Sequence, residues 1–189
     1  MAAKAFQITT PIWRSLLILG LIENRNKPIS STELTDWLDF YDYQQVGKYI
    51  KKYLRPWLPN SKDNVIKTIK GKGYKLDKEF IPPNQYREFV YVLLILNSLE
   101  DELWNSEVSN LGDKALGIVA GLIVAKRKKI FIQIKYQAKN IENSDSFKPK
   151  KLFNKNGDWY VEGEFRYNTT KISNIIKINC IREAILPGR

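Results

Sequence analysis

The 189-residue sequence contains no histidine and a single cysteine, Cys180. Without histidine there is no imidazole for acid–base catalysis, and one thiol alone cannot build a zinc site of the usual kind. A lone cysteine also excludes an internal disulfide, which is typical of proteins in a reducing compartment. We therefore expect no catalytic residue, no metal site and no cofactor, and we interpret the chain as a binding protein that is not an enzyme.

Long hydrophobic runs are also missing. The longest apolar stretches, residues 89–96 and 115–125, are too short to span a bilayer. The N-terminus lacks the basic, apolar and small-residue order of a secretion signal. The sequence therefore predicts a cytoplasmic protein with no membrane partner.

Positive charge, by contrast, is abundant and unevenly spread. The chain has 31 Lys and Arg against 20 Asp and Glu, a net charge of +11. Residues 1–80 carry 14 basic and 8 acidic side chains, residues 81–125 carry 2 and 6, and residues 126–189 carry 15 and 6. Two basic modules thus flank an acidic connector, which favours a polyanionic partner.

Three helices followed by a hairpin are predicted for the first module, residues 1–80. Apolar periodicity predicts helices over residues 11–24, from Ser31 to about Leu38, and over residues 43–57. Alternating residues on both sides of a glycine-rich turn predict a hairpin over residues 64–76. This order is that of a winged helix-turn-helix, and residues 66–76 resemble the wing of bacterial response-regulator DNA-binding domains.

The third predicted helix has an apolar and a polar face. Val46, Ile50 and Leu54 fall on one side of a helical wheel, and the opposite side is rich in amides and lysine. Amides can contact base edges and cations can contact phosphates, so we interpret it as a recognition helix, although lysine-rich faces also serve solubility. The predicted DNA-binding residues are Gln44, Gln45, Lys48, Lys51, Lys52 and Arg55 in the helix and Lys70 and Lys72 in the wing.

Residues 81–112 are predicted to form a helical linker. Its start is marked by a break at residues 81–84, and a helical pattern follows over residues 86–104. A second helical pattern, over residues 113–127, connects the linker to the last module. Gly117 and Gly121 are four residues apart, which indicates tight packing on a neighbouring element. We expect this connector to supply contacts for a homodimer.

In the last module, residues 113–189, apolar and polar residues alternate with a period of two after Lys128. The predicted strands are residues 130–136, 147–153, 158–167 and one or two within 170–185. Residues 142–146 are predicted to be a loop, and Pro149 favours an edge position for its strand. The predicted fold class is α+β, with a small antiparallel β-barrel after the winged helix-turn-helix and the linker.

Four motifs of this module resemble those of the WYL domain, a ligand-sensing barrel similar to Sm and SH3 folds. Trp159-Tyr160-Val161 matches the tripeptide that names the family, with valine in place of leucine. The resemblance covers about residues 113–186, and its motifs are residues 132–136, 149–153, 157–161 and 172–176. It implies a domain that binds an effector, a nucleotide or oligonucleotide, and alters DNA binding by the helix-turn-helix in front.

The resemblance also implies that Tyr136, Trp159 and Tyr160 lie at or near the effector pocket, although each of these aromatic residues fits a hydrophobic core equally well. The family pattern places arginines where this chain has residues 145–148 and Asn174. The cations that we expect to replace them are Lys148, Arg166 and Lys171.

The sequence as a whole predicts a transcription regulator, most simply a repressor, whose homodimer places two basic helices on double-stranded DNA. The WYL resemblance adds ligand sensing and implies a link to a CRISPR or other defence locus. The alternative is an accessory protein that binds single-stranded DNA or RNA without promoter specificity. In that case Phe131, Phe153 and Trp159 would be the stacking surfaces.

Overall fold

The structure is a computed structural model that describes residues 11–25, 27–58, 65–97, 111–166 and 173–187. Helices come first along the chain and the larger antiparallel sheet comes last, so the predicted mixture of helix and sheet is confirmed. The α-helices are α1 (Pro11–Glu23), α2 (Ser31–Leu38), α3 (Gln44–Tyr49), α4 (Pro83–Ile95) and α5 (Ala115–Lys128). The strands are β1 (Ile66–Ile69), β2 (Gly73–Leu76), β3 (Ile132–Ala138), β4 (Ile141–Lys155), β5 (Asp158–Phe165), β6 (Asn174–Lys177) and β7 (Ile181–Ile185).

Helix α2 begins and ends where the sequence signals predict. The hydroxyl of Ser30 accepts a hydrogen bond from the backbone N–H of Glu33 at 3.0 Å, which satisfies a donor that the first helical turn leaves open. The helix ends at Leu38 and is followed by Asp39, whose φ of 55° lies in the left-handed region. The N–H of Phe40 then bonds to the carbonyl of Thr35, so hydrogen bonds close the turn that leads to the third helix.

The predicted third helix is present as one continuous helical stretch, residues 44–57, whose winding changes along its length. Helix α3 passes into a π-helical turn, Ile50–Leu54, and then into a 3-10 turn, Arg55–Trp57. Its buried residues are four apart, since Val46, Ile50 and Leu54 all lie in the core. A four-residue step drifts around an α-helix of 3.6 residues per turn, and the wider π turn takes up that drift.

Strands β1 and β2 form the predicted hairpin, with Ile66 opposite Leu76. Ile29 adds a bridge beside β2, because its N–H and carbonyl bond to the carbonyl and N–H of Tyr74 at 2.9 and 2.8 Å. Gly73 makes this approach possible: its φ is +109°, and a Cβ there would overlap the Ile29 carbonyl. The segment between α1 and α2 is therefore tied to the hairpin.

The larger sheet is antiparallel, with the strand order β6-β5-β4-β3-β7. Two expectations are wrong here. Residues 142–146, predicted to be a loop, belong to β4, which pairs with β3 across a two-residue turn at Lys139 and Asn140. Pro149 lies in the central strand and not at an edge. The pairing of β4 with β5 shifts between Pro149 and Lys151, and such a bulge accommodates a residue without an N–H.

The predicted antiparallel sheet is present, but the prediction of a closed barrel is wrong, because the described strands form a sheet that curls without closing. Within the described residues, β6 and β7 are opposite edges that do not pair, yet only the 3-10 turn Ile178–Cys180 separates them. In a flat sheet these strands would be roughly 19 Å apart, whereas the chain from Lys177 to Ile181 spans at most about 14 Å. The sheet must therefore curl strongly, and its 3-10 turn contacts both β3 and β5.

Helices α1 and α5 form the centre of the molecule. Helix α5 is buried from its first residue to Ala125, and α1 is buried along most of its length. The helices meet at Gly20, where a Cβ would lie 2.5 Å from the Cβ of Ala120; Gly121 lies against the carbonyl of Ala184 in β7. The tight packing predicted for the glycines of α5 is confirmed, and α5 joins the helices and the sheet in one hydrophobic core.

The acidic connector, residues 81–125, differs from the expectation in how its second apolar run is used. Because the apolar run 115–125 is buried inside a single chain, it is not available for the homodimer contacts that we expected of the connector. The helix predicted over residues 86–104 is present as α4, and residues 98–104 lie outside the described part of the chain. No helix among the described residues is both long enough and apolar enough to cross a membrane.

Candidate nucleic-acid interface

Arg14 of α1 holds the inner side of the 44–57 stretch. Its guanidinium donates to the hydroxyl of Tyr49 at 3.3 Å and lies over the rings of Phe40 and Tyr49, 5.4 and 6.0 Å from their centroids. The two rings are stacked, with centroids 5.1 Å apart. Contacts of this kind contribute about 0.5–1 kcal/mol each. The stretch is thus fixed to the core by one side, and its other side faces solvent.

The turn before α3 presents two exposed tyrosines. The side chain of Asp42 accepts the N–H of Gln44 at 2.9 Å and caps the start of the helix. Tyr41 is 99% exposed and Tyr43 is 59% exposed. Helical periodicity missed both residues. The signal that could have found them is the presence of two tyrosines in a short turn between helices, where packing of the core does not require aromatic side chains.

Most of the predicted helix residues point outward. Gln44, Lys48, Lys51 and Lys52 are exposed, whereas Gln45 and Arg55 are half-buried. No carboxylate of the described residues forms an ion pair with Lys48 or Lys51. Lys52 lies over the ring of Tyr53, 5.2 Å from its centroid. Because the 44–57 stretch has no acidic residue, its outer face attracts a polyanion.

The hairpin lies beside this face. A Cβ at Gly47 of α3 would lie 3.8 Å from the hydroxyl of Tyr74 in β2, so the two elements are neighbours. Lys70 and Lys72 are exposed in the hairpin turn, which a hydrogen bond from the N–H of Lys72 to the carbonyl of Ile69 closes at 2.9 Å. The helix and the hairpin that carry the predicted residues are therefore neighbouring elements.

The predicted effector residues are not brought together on one face of the larger sheet. Trp159 is 1% exposed and packs in the core. Because the side chains of neighbouring strand residues point to opposite faces of a sheet, Tyr160 lies on the other face. Tyr136 shares the inner side, where it stacks on Phe165 with centroids 5.8 Å apart and donates to Asp145 at 3.1 Å. Burial is the main cause that raises the pKa of Tyr136, and the hydrogen bond to Asp145 raises it further. The Tyr136 hydroxyl therefore keeps its proton and remains a donor.

The outer face of the sheet holds a cationic aromatic cluster around Phe131. The Nζ of Lys148 lies 5.8 Å from the centre of this ring, and the guanidinium of Arg166 lies 6.0 Å from it. On the same face, Phe153 and Tyr160 are stacked with centroids 5.6 Å apart. Two of the predicted effector cations thus flank one ring, whereas Lys171 lies outside the described residues.

A buried polar junction joins α1, α4 and α5 behind the hairpin. The Glu23 carboxylate accepts the hydroxyl of Tyr86 at 2.8 and 2.9 Å and the N–H of Gly117 at 2.7 Å. The Tyr86 oxygen accepts the N–H of Leu116 at 3.0 Å, and Nζ of Lys78 is 4.0 Å from Glu23. Burial raises the pKa of Glu23, while these hydrogen bonds and Lys78 act against the rise.

Comparisons with known proteins give little beyond this geometry. No protein-family model and no curated protein matches the sequence. Among solved structures, the chain is similar to proteasome accessory factor B/C of Arthrobacter aurescens, with 11% sequence identity and a TM-score of 0.32. The match covers 94% of this chain and 38% of that one, so this chain spans well under half of the length of its neighbour.

Proposed function

We propose that the chain is a transcription regulator whose 44–57 stretch and β1–β2 hairpin bind double-stranded DNA. The observation that carries this proposal is the outer face of the stretch, where one exposed amide, Gln44, and three exposed lysines lie without any acidic residue. Three helices followed by a hairpin, with a bridge from Ile29 to Tyr74, is the element order of a winged helix-turn-helix.

The exposed side chains divide by position along this surface. Gln44 and Lys48 lie in the first turns of the stretch, where recognition helices contact base edges. Lys51 lies one turn further on, and we assign it, with Lys70 and Lys72 of the hairpin, to phosphate contacts, which set affinity more than sequence choice.

Tyr41 and Tyr43 extend the same surface beyond the start of α3. A tyrosine hydroxyl can donate to a phosphate oxygen, and its ring can lie against the sugar edge. We therefore include both in the interface, together with the helix residues Lys52, Gln45 and Arg55 that the sequence pattern placed there.

The direct test is a binding titration. Fluorescence anisotropy would compare duplex DNA from the protein's own promoter, a scrambled duplex and a single strand, at about 50 and about 200 mM salt. We expect the promoter duplex to bind most tightly and to keep its advantage at the higher salt. Each lost phosphate contact lowers the slope of log affinity against log salt by about one.

A pair of double variants makes the test specific. Lys48→Ala with Lys51→Ala removes two charges from the proposed face, and Lys150→Ala with Lys155→Ala removes two charges from the exposed surface of the larger sheet. The first pair should weaken duplex binding and reduce the salt slope, and the second should leave both nearly unchanged. Equal affinity of the first pair and the unmodified protein would contradict the assignment of the face.

Repression by a homodimer is the form of regulation that we propose, with an effector bound by the C-terminal module. What supports an effector site is the pair of cations, Lys148 and Arg166, beside the ring of Phe131. This cluster is suited to a nucleotide, because the ring can stack on a base and the cations can bind phosphate. The link to a defence locus stays a prediction from family resemblance.

The same cluster favours a second candidate function, binding of single-stranded nucleic acid without promoter specificity. Phe131 and Phe153 are half-buried on the outer face and can stack, whereas Trp159 is buried and cannot. Preference for the single strand in the titration, lost in a Phe131→Ala variant, would favour this function over promoter binding.

A further inference from the structure

Four consecutive cations, residues 126–129, stand at the end of α5 and form what we call the basic run. The first three lie in the last turn of the helix, and Lys129 follows it with a φ of 53°. Basic side chains in a last turn complement the negative end of the helix dipole, and this effect fades beyond that turn. The helix dipole therefore explains part of the basic run and leaves room for another role.

The basic run lies against the part of the molecule that leads into α3. Nζ of Lys128 donates to the carboxylate of Asp39, the residue that follows α2 and stands two positions before the exposed Tyr41. The guanidinium of Arg127 lies over the ring of Trp13 in α1, 4.6 Å from its centroid. These contacts hold the end of α5 beside the turn between α2 and α3, which borders the proposed DNA surface.

Like charges are crowded around the basic run. Lys126 is repelled by Lys151 of β4, and Arg127 is repelled by Arg14 of α1. Burial, and then the charge of Lys151, lower the pKa of Lys126. Among the described residues, the carboxylate of Asp39 is the one that forms an ion pair with the run.

The balance of charge in this neighbourhood is positive. The basic run, Arg14 and Lys151 supply six cations, whereas the carboxylates are Asp39 and Glu162, which lies opposite Lys151 in the pairing of β4 with β5. Repulsion of this kind opposes folding of the free chain and is relieved when a polyanion binds. The neighbourhood is therefore suited to a partner with many negative charges.

The basic run also leads into the cationic surface of the larger sheet. Lys129 is exposed and stands two positions before Phe131, the ring that Lys148 and Arg166 flank. The run therefore lies between the turn before α3 and the cluster around Phe131, and it connects the two cationic surfaces of the chain.

We propose that the basic run binds the phosphate backbone of the same DNA duplex, beyond the base pairs that α3 reads. This inference rests on the proposed function, because it takes the turn before α3 to lie at the duplex. Lys126 and Lys129 supply the phosphate contacts, while Arg127 stays on Trp13 and Lys128 stays on Asp39. Such contacts add affinity and salt dependence without adding sequence choice.

A double variant separates this contact from the rest of the interface. Lys126→Gln with Lys129→Gln removes two charges and keeps the contacts of Arg127 and Lys128. With the promoter duplex, we expect about a fivefold loss of affinity at about 50 mM salt and a salt slope lower by about two. The preference over a scrambled duplex should be unchanged. The thermal midpoint should stay within about two degrees, since the change also relieves the burial and repulsion of Lys126.

The matched control is Lys139→Gln with Arg182→Gln. Lys139 has a φ of 50°, close to that of Lys129, and stands at the other end of β3, roughly 20 Å away along the strand. Arg182 is exposed and donates to Gln137 beside it at 3.0 Å. The control loses the same charge, so its affinity and salt slope should stay close to those of the unmodified protein.

A cleavage label locates the contact on the DNA. Cys180 is the single cysteine, so a Cys180→Ser chain can carry one new thiol for an iron–EDTA label. With Lys129→Cys, we expect backbone cleavage that lies outside the positions cleaved from Lys51→Cys. With Lys139→Cys, we expect no cleavage of the bound duplex.

The outcomes separate this inference from the proposed function. Loss in the Lys126 and Lys129 pair but not in the control, with flanking cleavage from Lys129→Cys, supports the contact. Duplex binding that is unchanged in that pair, an equal loss in both pairs, or no cleavage from Lys129→Cys would overturn the contact and leave the proposed function standing. Absence of duplex binding by the unmodified protein would overturn both.

Discussion

The 44–57 stretch and helix α5 have the same length but opposite surroundings. The stretch buries every fourth residue and leaves its lysines in solvent, whereas α5 is buried continuously from Ala115 to Ala125. A helix that is apolar all round belongs inside a protein, whereas one with a cationic face belongs at the surface. Changes in the buried part of α5 should therefore decide whether the chain folds, and changes in the stretch should decide what it binds.

The largest expected effect is at the contact of α1 with α5. Gly20→Leu places a side chain where a Cβ alone would lie 2.5 Å from Ala120 and 2.7 Å from the Leu116 carbonyl, so the helices must separate. We expect a loss of about 3 kcal/mol in the free energy of unfolding, measured by urea titration. Gly112→Ala, at an open position, is the control. A loss below about 1 kcal/mol in Gly20→Leu would show that the helices are not packed this closely.

The next effect is at the polar junction that holds the start of α5. Glu23→Ala leaves the buried N–H of Gly117 without its acceptor, which costs about 1–2 kcal/mol of unfolding free energy. Tyr86 retains the carbonyl of Asp113, at 3.1 Å, as an acceptor. Glu88→Ala, which removes an exposed carboxylate from α4, should change stability little. Equal losses in the two variants would mean that the junction does not support α5.

We expect the stability that this junction provides to depend on pH. Burial raises the folded pKa of Glu23 above 4.5, so the folded chain binds this proton more tightly than the unfolded chain does. Stability from this group is therefore highest at low pH and falls as pH rises from about 4.5 through the raised pKa. The Glu23→Gln variant has no ionisable group at this position, so its stability lacks this dependence on pH. Between about pH 4 and pH 8, the unfolding midpoint of the variant should therefore rise relative to that of the unmodified protein. A constant difference would contradict the shift.

The smallest effect on stability is expected in the 44–57 stretch. Lys48→Ala and Lys51→Ala remove exposed side chains, so each should change the unfolding free energy by no more than about 0.5 kcal/mol while DNA affinity falls. Urea titration of the same preparations used for DNA binding would check this. A loss above about 1 kcal/mol in either would mean that the outer face is structural and would erase the contrast with α5.

Local signals predicted the helices well because each carries its own pattern. The first helix was predicted over residues 11–24 and is Pro11–Glu23, and the cap at Ser30 places the second. Strand β4 was missed in part because residues 142–146 are polar on both faces and lie at the end of a hairpin. The central place of Pro149 depends on a bulge, which is a property of the pairing and has no signal in one strand.

In the candidate sites, too, the features with a local sequence signal were predicted and those that depend on contacts between distant residues were not. Helical spacing alone places Lys48 and Lys51 on one exposed face, so the proposed DNA surface follows from sequence. The junction of Glu23 with Tyr86 joins residues 63 positions apart, and nothing local to either residue predicts it. The separation of Trp159 from Tyr160 is local, however: adjacent residues of a strand face opposite ways, and the expectation of one pocket for both overlooked this.

The contact of Asn24 with β7 has a consequence for how the protein is made. The side-chain amide of Asn24, just after α1, donates to the carbonyl of Ala184, 160 residues later. At ribosomal rates of about 5–20 residues per second, roughly 8 to 32 s separate the synthesis of these two partners. For the last part of that interval, after α5 has been made, the face of α5 that β7 covers in the folded chain has no partner. A prematurely terminated product that lacks β7 would leave that surface exposed and become a substrate for proteolysis.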